Sequence, residues 1–148
     1  MKEELELSLR NKYPQLCRDY KGDPKNTCMA WGFDCGDGWY ALLDDTLNSI
    51  EKIVKKVNLD IKLAQVKSKF GKLTIHIDIS EGPNGPHIQQ AIQQIHSLID
   101  DARNKSSVIS EISGLPATQH IINSYIYTVT DSEAEELKLR AEVIMNGS

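Results

Sequence analysis

Long apolar runs are missing from this 148-residue chain: nothing in it approaches the ~18 consecutive apolar residues of a membrane-spanning helix. Its opening, MKEELELSLRNKYP, is acidic and amphipathic, unlike a secretory or transit peptide, so a cytoplasmic protein is expected. Cysteine is scarce. The three present, Cys17, Cys28 and Cys35, are odd in number and read as reduced thiols rather than a disulfide framework. Six residues separate Cys28 from Cys35, wider than the roughly two to four of a zinc knuckle, and no histidine pair lies nearby. Positive charge is also in short supply. With 17 Lys and Arg against 21 Asp and Glu, the net charge of -4 argues against generic duplex binding, which relies on neutralising phosphates. A small anionic ligand needs only a local basic cluster.

What is present suits one domain over residues 1–148: 40% hydrophobic and 26% charged residues, enough to bury a sizeable core. From Lys2 to Lys12 a helix is expected before Pro14, with strand alternation of Leu5, Leu7 and Leu9 competing. YKGDPKNT, Tyr20 to Thr27, has a turn composition. Trp39, Leu42, Leu43, Leu47, Ile50, Ile53, Val54 and Val57 form a stripe of 3.6-residue period, which predicts a helix over 39–57 with Asp37 as its N-cap. Two strands, Ile61 to Phe70 and Lys72 to Ile79, should form a hairpin about Gly71, with Leu73, Ile75, Ile77 and Ile79 on one face and Lys72, Thr74, His76 and Asp78 on the other. After the loop SEGPNGP come a helix from His87 to Ala102, a strand around Ile121 to Val129, and a helix from Ser132 to Met145 capped by Thr130 or Asp131. The class is α+β: amphipathic helices on a small antiparallel sheet.

Few motifs carry chemistry. Gly36-Asp37-Gly38 before a helix has the makings of an anion site, since orphan N–H groups gather at a helix start. It lacks the spacing of a P-loop, and Asp37 would repel phosphate; a capped helix start is the alternative. Trp39 belongs to the core stripe, which leaves Tyr40 at a rim where its ring can stack on a base or stand without a partner. KSKFGK places Lys67, Lys69 and Lys72 around the hairpin turn, either for phosphates or as protection of a strand edge. The four histidines are scattered without the i,i+4 spacing of a helical metal site. His76 shares a strand face with Asp78, an arrangement open to acid–base chemistry, yet no nucleophile motif accompanies it.

CGDGWYALLDDTL, followed about twenty residues later by QVKSKFGKL, resembles a family of small proteins found mainly in bacteriophage genomes. The two motifs span roughly Trp31 to Ile79 and are specific as a pair. Relatives often continue into a small zinc ribbon of the form Cys-Glu-x-Cys-Gly-x-Pro-Gly and later Thr-Leu-Cys-x-x-His-Ala. In that register the ligand positions of this chain hold Ser110, Ser113, Thr130 and Glu133, so the resemblance implies a ribbon frame without metal. That corner is expected to be held by packing of Ile112, Leu115, Ile122 and Tyr125. The division implied is an N-terminal segment over 1–30, a helix–hairpin–helix core over 31–105, and a degenerate ribbon with a final helix over 106–148.

Small phage proteins without catalytic motifs often counter host defences. One such class is a sponge, a homo-oligomer that sequesters a cyclic-nucleotide immune signal in the host cytoplasm without cleaving it. Stacking rings, lysines and the lack of a catalytic motif fit that class. The residues expected to bind ligand are Gly36, Asp37, Gly38, Trp39, Tyr40, Lys67, Lys69, Phe70, Lys72 and His76, with no catalytic residue, metal or cofactor. A protein-interaction module and a weak single-strand nucleic-acid binder are the alternatives.

Overall fold

The computed structural model describes residues 1–80, 82 and 84–146. Helix α1, Glu3–Lys12, resolves the competition at the start of the chain, its acidic first turn and basic last turn both suiting the helix dipole. Leu9 is fully buried, and so nearly is Glu6, whose carboxylate accepts from the Phe33 N–H at 2.7 Å and from the Tyr20 hydroxyl at 3.0 Å. A carboxylate survives in such a place only with partners of this kind.

A single 3-10 turn, Asp37–Trp39, leads into α2, Tyr40–Val57, and Leu43, Leu47 and Ile50 are wholly buried as the stripe predicts. Asp37 does not cap α2. The intervening 3-10 turn moves it away from the first α-helical N–H groups, and its carboxylate accepts from the Lys2 N–H at 2.7 Å, tying α1 to the start of α2. Further along the same seam Asp44 receives the Tyr13 hydroxyl at 2.6 Å and Lys12 Nζ at 2.9 Å. Burial pushes the Asp44 carboxyl up, but those two hydrogen bonds and the Lys12 charge outweigh it and hold the carboxyl below its ordinary value of 3.8. The stabilisation is therefore complete above the unfolded-state value and is lost as pH falls through the lower folded one. Asp44→Asn should lower the melting temperature at neutral pH, and the difference from the parent should shrink in melts below about pH 4.

Strands β1, Phe33–Asp34, β2, Ile61–Lys69, and β3, Lys72–Ile79, form a sheet in the order β1-β2-β3. The expected hairpin pairs β2 and β3 antiparallel, while β1 adds a short parallel strand at the other edge of β2, so the sheet is mixed. Helix α3, Pro86–Ser106, packs on α2 and on β3. Glu81 and Pro83 of the preceding loop lie outside the described residues. The strand expected over 121–129 is instead a hairpin of β4, Thr118–Ile122, and β5, Tyr125–Val129, turned at Asn123 and Ser124. Helix α4, Asp131–Asn146, follows.

The four ribbon positions meet. Ser110, fully buried, donates to Glu133 Oε1 at 2.5 Å and accepts from the N–H groups of Ile112 and Ser113 at 3.1 Å each. Thr130 and Glu133 form a reciprocal capping box on α4, Thr130 N–H to Glu133 Oε1 at 2.9 Å and Glu133 N–H to Thr130 Oγ1 at 3.1 Å. Packing around this knot differs from expectation: Ile112, Leu115 and Tyr125 are exposed, and Ile122, Val129 and Ala134 form the small core with Tyr127 and Leu137. The hydrogen-bonded knot holds the loop, so those three side chains need not. Ser110→Ala should cost about 1–3 kcal/mol, because it strips Glu133 of a donor and leaves two N–H groups without an acceptor; urea denaturation measures it. Among the described residues no cluster of three or more His, Cys, Asp or Glu is placed to hold a metal, and no helix is long and apolar enough to cross a membrane.

Candidate functional site

Simple alternation along β2 would set Lys67 and Lys69 on the same face as the buried Ile61 and Leu63. A bulge between Leu63 and Gln65 shifts the phase, so Val66 is buried and the lysines turn outward. Register then gathers the basic side chains: Lys69 lies directly opposite Lys72, and Lys67 opposite Thr74. Like charges in directly opposed positions are unfavourable. Among the described residues none of these three lysines forms a salt bridge with a carboxylate.

The turn between the strands has two residues, Phe70 and Gly71, with φ of 54° and 74°. A tight hairpin wants positive φ at both positions, which suits the sequence Asn-Gly. Glycine adopts it freely; a bulky residue pays ~1–2 kcal/mol for the left-handed conformation. Phe70 is nevertheless there, the residue 65% exposed and Lys69 Nζ 5.7 Å from its ring centroid.

The tip rests on the second hairpin. The Thr128 hydroxyl donates to the Gly71 carbonyl, Gln119 Nε2 donates to the Phe70 carbonyl at 3.4 Å, and a Cβ at Gly71 would stand 3.1 Å from Ile126 Cγ2. Between the hairpins lies a cleft of about 530 Å³ lined by Ser68, Lys69, Phe70, Glu111, Tyr125 and Tyr127 together with Ser124 and Ile126. Tyr125 is 67% exposed at the start of β5. Glu111 is fixed from three sides: its N–H donates to the Thr128 carbonyl at 3.0 Å, its carbonyl accepts from the Gly38 N–H at 3.0 Å, and its Oε2 accepts from the Thr128 N–H at 3.2 Å. Burial raises the Glu111 carboxyl above its ordinary value of 4.5, partly offset by that last bond. The cleft thus offers two exposed rings, an ammonium group and a half-buried carboxylate, a set able to hold a planar, phosphorylated ligand.

Of the residues expected at a ligand, Lys69 and Phe70 line this cleft, and Lys67 and Lys72 share the sheet face of Lys69. The Gly36 to Trp39 corner, the expected anion site, is covered by another part of the chain. Its Gly38 N–H is occupied by Glu111, and the loop from Ser110 to Gly114 sits directly on both glycines. Trp39 has no exposed surface, and its Nε1 donates to the Ile109 carbonyl at 2.8 Å. Tyr40 is half-buried in the α1–α2 seam, its hydroxyl 2.8 Å from Ser8 Oγ and its ring 5.8 Å from Lys12 Nζ. His76 is exposed in a separate groove of about 260 Å³ beside His96, Asp100 and Arg103 of α3, and no hydrogen bond joins it to Asp78.

Glu111, Tyr125 and Tyr127 were not legible as site residues. Their one sequence signal, Asn123-Ser124 between two apolar stretches, marks the hairpin that carries the tyrosines. Comparison of the chain with protein-family models, with curated proteins and with solved structures returned no match.

Proposed function

We propose that this chain is a phage-encoded anti-defence binding protein, a homo-oligomeric sponge that sequesters a cyclic-nucleotide signal in the cleft between its two hairpins without cleaving it. The observation that supports this reading most is the backbone of Phe70: an aromatic residue held in a left-handed turn conformation with its ring in solvent. Local strain of this sort accumulates where a side chain is kept for a ligand. The opposed pair Lys69 and Lys72 adds a second local cost that a bound phosphate would relieve. A base stacks on Phe70 or Tyr125, and the lysine face takes the phosphates.

A thermal-shift panel tests the reading with cyclic dinucleotides, cyclic trinucleotides, cyclic ADP-ribose isomers and short oligonucleotides. A cyclic nucleotide at a hundred times its Kd stabilises the fold by ~2.7 kcal/mol, a shift of several degrees, and should be recovered intact after denaturation. Changing Lys67, Lys69 and Lys72 together to alanine should abolish that shift while leaving the unliganded melt close to the parent's. A parent that responds to none of the cyclic nucleotides, or that turns one over, contradicts the proposal.

A protein-interaction module is the second reading, and one observation favours it: Ile121 of β4 and Leu139, Val143 and Ile144 of α4 are exposed. A second copy covering them would also meet the homo-oligomer of the first reading. Light scattering tests for that second copy, since a self-assembling chain has a defined multiple of the 16.6 kDa protomer mass, while the nucleotide panel separates the two readings.

A further inference from the structure

Stacking and phosphate contacts leave the one carboxylate in the cleft, Glu111, unused. Its Oε2 accepts from the Thr128 N–H and keeps a second lone pair, while Oε1 has no hydrogen-bond partner among the described residues. No buried side-chain nitrogen or oxygen among those residues lacks a partner, so Oε1 is not fully buried, and Glu111 is one of the residues that line the cleft. The carboxylate is also preorganised, because the Glu111 main chain is bonded on one side to Thr128 and on the other to Gly38.

A carboxylate repels phosphate and accepts hydrogen bonds without donating any. What it faces in a nucleotide is therefore a donor edge. Guanine alone among the common bases places two adjacent donors on its Watson–Crick edge, N1–H and the exocyclic N2 amine. Adenine and cytosine place a single amine next to an acceptor, and uracil has one N–H between two carbonyls. We propose that the cleft selects guanine, Glu111 accepting from N1–H and the N2 amine while Phe70 or Tyr125 stacks on the ring. This rests on the nucleotide-binding reading above and assigns its base.

Calorimetric titrations with cyclic di-GMP, cyclic di-IMP and cyclic di-AMP test it, since the three share one phosphodiester ring and differ only in the base. The expected order is di-GMP tightest, di-IMP weaker for want of the N2 amine, and di-AMP weaker than di-GMP by at least about tenfold, the worth of a hydrogen bond to a charged group. Glu111→Gln keeps an amide oxygen for the Thr128 N–H, so the variant should melt like the parent, and its amide can pair with adenine, so the guanine preference should vanish. Equal binding of di-GMP and di-AMP by the parent, or a guanine preference that persists in Glu111→Gln, overturns the guanine assignment and leaves the cleft reading standing. Failure of all three to bind likewise overturns the guanine assignment, and the nucleotide reading itself falls only if the trinucleotides and cyclic ADP-ribose isomers of the wider panel fail as well.

Discussion

Gly38→Ala is expected to lower the melting temperature by on the order of 10 °C, the equivalent of about 3 kcal/mol or more for a chain of this size. The added Cβ would stand 2.1 Å from the Ser110 carbonyl oxygen and 2.6 Å from the Gly114 nitrogen. Overpacking usually costs about 1–3 kcal/mol, because side chains can turn aside. Here both obstacles are main chain, in a loop held down by the Ser110 to Glu133 bond, so the loop must lift as a whole. Gly36→Ala meets the Glu111 carbonyl oxygen at 1.9 Å and should behave alike. Gly82→Ala is the control: among the described residues the nearest atom to its new Cβ is at 4.0 Å, and the melt should stay within about 0.5 kcal/mol of the parent's. A Gly38→Ala protein that melts with the parent would mean that the loop does not sit on the glycines.

Trp39→Ala should be as severe. The indole is completely buried in the main core with Leu43 and Phe33, and its Nε1 satisfies the Ile109 carbonyl at 2.8 Å. Loss of such a side chain costs about 3–5 kcal/mol through lost transfer energy and the cavity left behind. Trp39→Phe keeps much of the volume and strands only the carbonyl, so about 1–3 kcal/mol is expected. Urea denaturation followed by circular dichroism measures both. In the parent the fluorescence red shift on unfolding should come from Trp39, because Trp31 is already exposed.

These two results concern a corner whose sequence suggested a ligand site and whose structure is a joint. Gly36-Asp37-Gly38 is glycine-rich before a helix for a steric reason, the close approach of a loop over seventy residues further along the chain, and no local pattern announces a contact at that separation. The long helix, the hairpin about Gly71 and the α+β class were legible because periodicity and turn residues act within a few positions. The bulge between Leu63 and Gln65 was not: it decides which way Lys67 and Lys69 point and sets Val66, the register partner of Phe33 in β1, in the core, yet no residue signal of its own marks it. The sequence reads as one strand across the second hairpin because Asn123-Ser124 is a weaker turn signal than Asn-Gly. With it went Tyr125 and Tyr127, and so half of the cleft wall. The ribbon positions Ser110, Ser113, Thr130 and Glu133 were legible only through the resemblance, and the structure joins them by hydrogen bonds.

The central claim is that Phe70 occupies a strained turn for the sake of a ligand, and Phe70→Asn tests it most directly. Asparagine before Gly71 is the preferred pair for a two-residue turn with positive φ at both positions, so the backbone cost of ~1–2 kcal/mol is relieved. The exposed contact of Lys69 with the ring, worth about 0.5–1 kcal/mol, is lost in exchange. The variant should therefore melt at or above the parent's temperature without ligand. With the same concentration of cyclic di-GMP the parent should gain several degrees and Phe70→Asn clearly less, by the roughly 1–3 kcal/mol that a stacked base is worth. A variant that melts below the parent, or that shifts as far as the parent on adding the nucleotide, would contradict the claim.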